Sequence, residues 1–150
     1  MTILYLLRHA HAGDPERWPG DDDLRPLSDK GTRQSERLGS MLAGWKEAPD
    51  LFVTSPRVRA VQTAELVAAP LGVRVVTDTL LAGPLDAAIA AEIAAAHGAE
   101  RPCLVGHDPD LPGPIASADR DDHHGHLADE CLTAHHCSLP VVRSARDRAS

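Results

Sequence analysis

Apolar and polar positions along the chain alternate between short apolar runs and longer stretches with helical spacing. Thr2 to Leu7 is a short run rich in β-formers, and it predicts a buried strand. Gly13 to Pro26 is rich in Pro, Gly and Asp and predicts a loop. Ser28 has the residue type and place of a helix cap. Leu38, Leu42 and Trp45 follow at helical spacing, and Pro49-Asp50 breaks that helix. Leu51-Phe52-Val53 predicts a second strand, closed by Thr54-Ser55-Pro56. Ala60, Ala64, Val67 and Leu71 share one face of a second helix that Gly72 ends. Val73 to Val76 predicts a third strand. Leu85, Ile89, Ile93 and Ala96 mark a third helix closed by Gly98. Pro102 to Val105 predicts a fourth strand that runs into Gly106-His107.

Strands that alternate with helices predict an α/β fold with a mostly parallel sheet, a three-layer α/β/α sandwich. Ligands of such sheets bind outside the carboxyl ends of the strands. His9, Ser55 and His107 each stand just past a strand, so three separate segments bring polar residues to one sheet edge.

The character changes after Leu111. Residues 1–111 read as one domain and 112–150 as an atypical segment containing His and Cys. Pro112 and Pro114 oppose a helix there, and Asp119 to His124 is strongly polar. Leu139 to Val142 predicts a late strand that Pro140 confines to a sheet edge. His123, His124, His126, Cys131, His135, His136 and Cys137 are residue types that bind zinc, but their spacing fits no standard finger. The expectation is therefore a degenerate, poorly ordered tail rather than a metal site.

Composition narrows the function classes. A chain of 150 residues suits a single core, with 43% hydrophobic and 25% charged residues. The net charge of -7 argues against nucleic-acid or anionic-membrane partners. A cluster of arginines still binds a small anion on an acidic protein. No charged leader with an apolar core opens the sequence, and Cys103, Cys131 and Cys137 lack the spacing of a disulfide framework. A cytoplasmic protein is expected, as a monomer or homodimer.

Three segments carry chemistry. Arg8-His9 follows a strand directly; a neutral imidazole can attack phosphorus, and a guanidinium fork can hold phosphoryl oxygens. Arg57 and Arg59 fall at a helix start, where backbone N–H groups already favour anions. Gly106 allows close backbone approach to a ligand, and His107 beside it can donate to a phosphoryl oxygen.

Together these segments resemble the histidine phosphatase superfamily (phosphoglycerate mutase-like), most closely its SixA-type phosphohistidine phosphatase branch. The resemblance rests on Leu7-Arg8-His9-Ala10, on Arg25-Pro26-Leu27-Ser28 with Gly31, on Ser55-Pro56 with Arg59-Ala60 and Gln62-Thr63-Ala64, and on Gly106-His107. It spans roughly Thr2 to Leu111. Ala10 stands where many members carry Gly.

The resemblance implies a phosphatase of the phosphoglycerate mutase-like fold. His9 would be transiently phosphorylated, and Arg8, Arg59 and His107 would surround the transferred group. Arg57 is a secondary substrate contact. No metal or other cofactor is implied, because the Arg and His groups supply the positive charge. The substrate would be a phosphohistidine protein or a small phosphorylated metabolite. Asp14, Asp78 and Asp86 are candidate proton donors, though none matches a motif. Two other classes compete: a phosphate- or phosphoprotein-binding module with impaired turnover, and a metal-binding protein built on the tail.

Overall fold

The computed structural model describes residues 2–107 and the backbone of 135–139. The chain runs β1 (Thr2–Arg8), α1 (Asp29–Leu42), β2 (Leu51–Thr54), α2 (Val58–Ala68), β3 (Val75–Thr77), α3 (Ala87–His97), β4 (Pro102–Gly106) and β5 (His135–Leu139). The strands form one sheet in the order β3-β2-β4-β1-β5. The first four strands are parallel to one another, and β5 pairs antiparallel with β1.

Period-two alternation along the strands divides the core into two halves. Tyr5, Leu7, Phe52, Cys103 and Val105 pack with Leu38 and Leu42 of α1 and Ala60, Ala64 and Val67 of α2. Leu4, Leu6, Leu51, Val53 and Leu104 pack on the opposite face with Ala90, Ile93 and Ala94 of α3. The sheet therefore lies between two helical layers, as the alternation of strands and helices predicts. Burying a Leu or Phe of this kind contributes about 1.5–3 kcal/mol.

The Ser28 hydroxyl caps α1 by accepting from the Gly31 N–H at 3.1 Å. The buried face of the helix runs Gly31, Gln34, Ser35, Leu38, Gly39 and Leu42, with steps of three or four residues. The helix ends at Leu42, short of Trp45. Gly44 and Trp45 instead make tighter bonds to the carbonyls of Met41 and Leu42. Trp45 still packs against the core, so its apolar spacing reflects burial beyond the helix end. α3 ends as expected at Gly98, which adopts a left-handed conformation (φ 63°) open to glycine.

Among the described residues a late strand, His135–Leu139, stands on the sheet edge, and 140–142 of the expected Leu139–Val142 strand lie outside the described residues. Its register puts Thr2 opposite Leu139 and Leu6 opposite His135. His123, His124, His126 and Cys131 lie outside the described residues, as does most of the segment 112–150.

Gly31 joins this scaffold to the edge where the strands end. A Cβ there would run into the His11 carbonyl oxygen, on the loop that follows β1. Gly31→Ala is expected to lower stability by about 1–3 kcal/mol, the usual cost of forcing a group into a packed site. An unchanged urea midpoint for Gly31→Ala would show that the loop after His9 yields freely.

Candidate functional site

The carboxyl ends of β1, β2 and β4 converge on one edge. The His9 N–H donates to the Gly106 carbonyl at 3.0 Å, and the Ser55 N–H donates to that of Val105 at 2.9 Å. Backbone bonds across the sheet thus bring the residues after three strands together. Arg59 reaches the same edge from the first turn of α2, with a side chain only 5% exposed.

The two ring nitrogens of His9 have different partners. Nδ1 donates to the Ala10 carbonyl at 2.8 Å, which places the proton there. Nε2 is left with its lone pair and receives the Arg59 Nε–H at 3.3 Å. The ring centroids of His9 and His107 are 5.2 Å apart. His107 Nε2 lies 2.7 Å from the Ser55 hydroxyl. Arg8 and His107 border a shallow, open cleft that Gly83 and Leu85 also line. The structure thus places Arg59 and His107 each beside His9, with Arg8 on the adjoining cleft.

The motif residues around these groups fix the backbone. Thr63 Oγ1 accepts from the Ala10 N–H at 3.0 Å and donates to the Arg59 carbonyl at 2.7 Å. Gln62 Oε1 accepts from the Leu27 N–H at 2.8 Å. Arg25 donates to the carbonyls of Ala12 and Gly13 at 2.7 and 3.3 Å, tying its own segment to the loop after His9.

An acidic turn, absent from the sequence reading, covers the arginines. The Asp22 carboxylate accepts from Arg25 Nε at 2.9 Å and from Arg59 at 3.1 Å, and its carbonyl accepts from Arg59 at 2.7 Å. Asp23 pairs with Arg57 at 3.0 Å. The hydrogen bond from Arg25, and then the charge of Arg59, hold the Asp22 carboxyl below its ordinary range. A local signal for part of this exists: Asp22 and Arg25 are three residues apart within an acidic run.

Asp14, Asp78 and Asp86 are used structurally. Asp14 and Asp86 accept backbone N–H groups at the starts of their helical turns, at 2.9 and 2.8 Å. Asp78 accepts from the Leu80 N–H and lies 3.1 Å from His97. Among the described residues these three carboxylates have cap or surface partners rather than contacts with His9.

Burial, reinforced by the charges of Arg59, Arg8 and Arg25, pushes the His9 pKa down to about 4. Burial, then His9 and the charges of Arg57 and Arg59, pushes His107 down to about 3. Both rings are neutral at pH 7, which leaves the His9 lone pair available to an electrophile.

The same shifts set a pH dependence of stability. Below pH 6.5 the unfolded chain takes up protons that the folded rings refuse. Stability is therefore expected to fall as pH drops from about 6.5 to 4, by up to about 1.4 kcal/mol per pH unit for each histidine. Above 6.5 both states are neutral and the contribution vanishes. Thermal melts of wild type and His107→Gln across this range test it; equal slopes would contradict a buried neutral His107.

A family model of the histidine phosphatase superfamily (branch 1) matches residues 4–83. A candidate phosphohistidine phosphatase SixA from Agrobacterium tumefaciens is 29% identical with a TM-score of 0.63, the match covering 73% of this chain and 71% of that one. A second such protein, from Nakamurella multipartitia, is 31% identical with a TM-score of 0.59, covering 74% of this chain and 62% of that one. The protein histidine phosphatase SixA in complex with tungstate shares the fold at 23% identity and a TM-score of 0.61. Among the described residues no helix is long and apolar enough to cross a membrane. These matches support phosphatase function, and the neighbours are consistent with the SixA-type branch. The chain belongs to the histidine phosphatase superfamily.

Proposed function

We propose that the chain is a metal-independent phosphatase that works through a phosphohistidine intermediate on His9. The observation that carries this is the His9 ring itself: Nδ1 is committed to the Ala10 carbonyl, and Nε2 faces the Arg59 guanidinium. In the first step Nε2 forms a bond to phosphorus as the bond to the leaving group breaks. The Arg59 Nε–H passes from the ring nitrogen to a phosphoryl oxygen, and Arg8 and His107 complete the clamp, with Arg57 a more distant contact. In the second step water attacks phosphorus, the N–P bond breaks, and inorganic phosphate leaves neutral His9 behind. Positive charge comes from the guanidinium groups, which is why no metal is required.

The substrate is a phosphohistidine protein or a small phosphorylated metabolite. With Asp14, Asp78 and Asp86 engaged as caps, the site suits a leaving group that departs without a carboxylic acid. The imidazole of a phosphohistidine is such a group once its distal nitrogen is protonated.

Hydrolysis of an aryl phosphate by wild type, with and without a chelator, tests the reading. Turnover indifferent to the chelator is the expected result. A folded wild type that binds phosphate without turning over the ester would favour the binding module. Activity that the chelator removes would contradict the metal-free mechanism.

A further inference from the structure

Two successive peptide units after His9 are each tied to a different helix. The Ala10 N–H donates to Thr63 Oγ1 of α2 at 3.0 Å. In the next unit the Ala10 carbonyl accepts from His9 Nδ1 at 2.8 Å, and the His11 N–H donates to Gln34 Oε1 of α1 at 3.1 Å. One planar amide therefore carries a hydrogen bond at each end, the His9 ring on its oxygen and the Gln34 side chain on its hydrogen.

Gln34 is buried, at 8% exposure. Among the described residues its Nε2 has no hydrogen-bond partner. A buried donor without a partner costs free energy that a Leu or Met in its place would not. What Gln34 contributes here is its acceptor. Gly31, three residues earlier on the same buried face, lets α1 come this close: a Cβ there would stand 3.0 Å from the His11 nitrogen and overlap the His11 carbonyl. The path of the loop has other supports, since the Ser28 N–H donates to the His11 carbonyl at 3.0 Å. Gln34 is thus free to act on the amide without being the only tie that holds the loop.

We propose that Gln34 is a positioning residue for His9, acting through the amide between Ala10 and His11. The inference rests on the phosphatase reading and adds a residue to the same site. By accepting from the His11 N–H, Gln34 fixes the plane of that amide and polarises it, which makes the Ala10 carbonyl a stronger acceptor. The carbonyl keeps the imidazole proton on Nδ1 and the lone pair on Nε2, the form able to attack. As Nε2 bonds to phosphorus and the leaving group departs with its electron pair, the ring gains positive charge while the proton stays on Nδ1. The bond to Ala10 becomes charge-assisted at that stage, so Gln34 acts on the chemical step rather than on binding.

Nuclear magnetic resonance of protein labelled with ¹⁵N-histidine tests this at neutral pH, with the His9 ring identified by the signals that vanish in His9→Ala. The wild-type ring should show the Nδ1–H form. Gln34→Leu removes the acceptor, and its His9 ring should show a mixture of the two neutral forms. Its kcat for phenyl phosphate should fall about tenfold, the scale of one lost hydrogen bond, with KM nearly unchanged. Gln34→Met reports the same loss if Gln34→Leu fails to fold. Gln34→Glu keeps an acceptor and drops the idle donor, so it should restore both the Nδ1–H form and the rate. Turnover that survives His9→Ala would defeat the phosphatase reading, and the ring signals would still decide the role of Gln34. An unchanged Nδ1–H form in Gln34→Leu, or a folded Gln34→Glu as slow as Gln34→Leu, would reduce Gln34 to a packing residue and overturn the proposal.

Discussion

His9→Ala is expected to abolish turnover, lowering kcat by about 10⁴-fold or more, equivalent to ~5 kcal/mol of lost transition-state stabilisation. The argument is chemical before it is geometric. The two-step route replaces direct attack of water on phosphorus by two easier displacements, and both pass through the N–P bond. Without the ring, the arginine clamp can still bind and polarise a phosphoryl group, but no nitrogen is present to accept it. Substrate binding should therefore survive. The Arg59 guanidinium is held through both terminal nitrogens by Asp22, so it does not depend on His9 for its place. Rapid quenching of wild type with a ³²P-labelled substrate should trap an acid-labile, base-stable phosphoprotein that His9→Ala lacks. A His9→Ala enzyme that hydrolyses ester at the wild-type rate would remove His9 from the mechanism.

What the sequence made legible was local. Ser28 as a cap, Gly98 as a stop and the apolar spacing of α1 and α2 depend on residues a few positions apart, and the structure follows them. The convergence of His9, Ser55 and His107 followed from one topological rule, that ligand-binding residues gather past the carboxyl ends of parallel strands. What stayed hidden depends on partners distant in sequence. The end of α1 before Trp45 shows the limit of reading by period, since an apolar residue packs on a core from a turn as well as from a helix. The place of β5 depends on its antiparallel register with β1, which no pattern within 135–142 specifies. The acidic turn reads only as part of the loop Gly13 to Pro26, because its partner Arg59 lies 37 residues beyond Asp22. Asp14 and Asp86 were open to a better reading: an aspartate at the start of a helical turn is a cap before it is an acid.

Arg59→Ala is expected to lower kcat by about 10²–10³-fold, the range found when a preorganised donor to a developing negative charge is removed. The effect should fall more on kcat than on KM, because Arg8 and His107 remain to hold the bound phosphoryl. A second consequence separates this from general damage to the site. The Arg59 charge is one of the influences that depress His9 to about 4, while burial remains the largest. Removing it raises the His9 pKa toward its ordinary value of about 6.5 without reaching it. The acid limb of kcat/KM reports the free enzyme, so protonation of His9 should begin at higher pH in Arg59→Ala than in wild type. A variant that only misplaced the pocket would lose rate at every pH and keep the wild-type limb. Arg59→Lys should keep the limb near its wild-type position, because the charge remains. It should still lose rate, since an ammonium cannot reach His9 through Nε while two further nitrogens grip Asp22. An acid limb at the same pH in wild type, Arg59→Ala and Arg59→Lys would show that the titrating group is not the ring beside Arg59, and the assignment of His9 as the attacking base would fall with it.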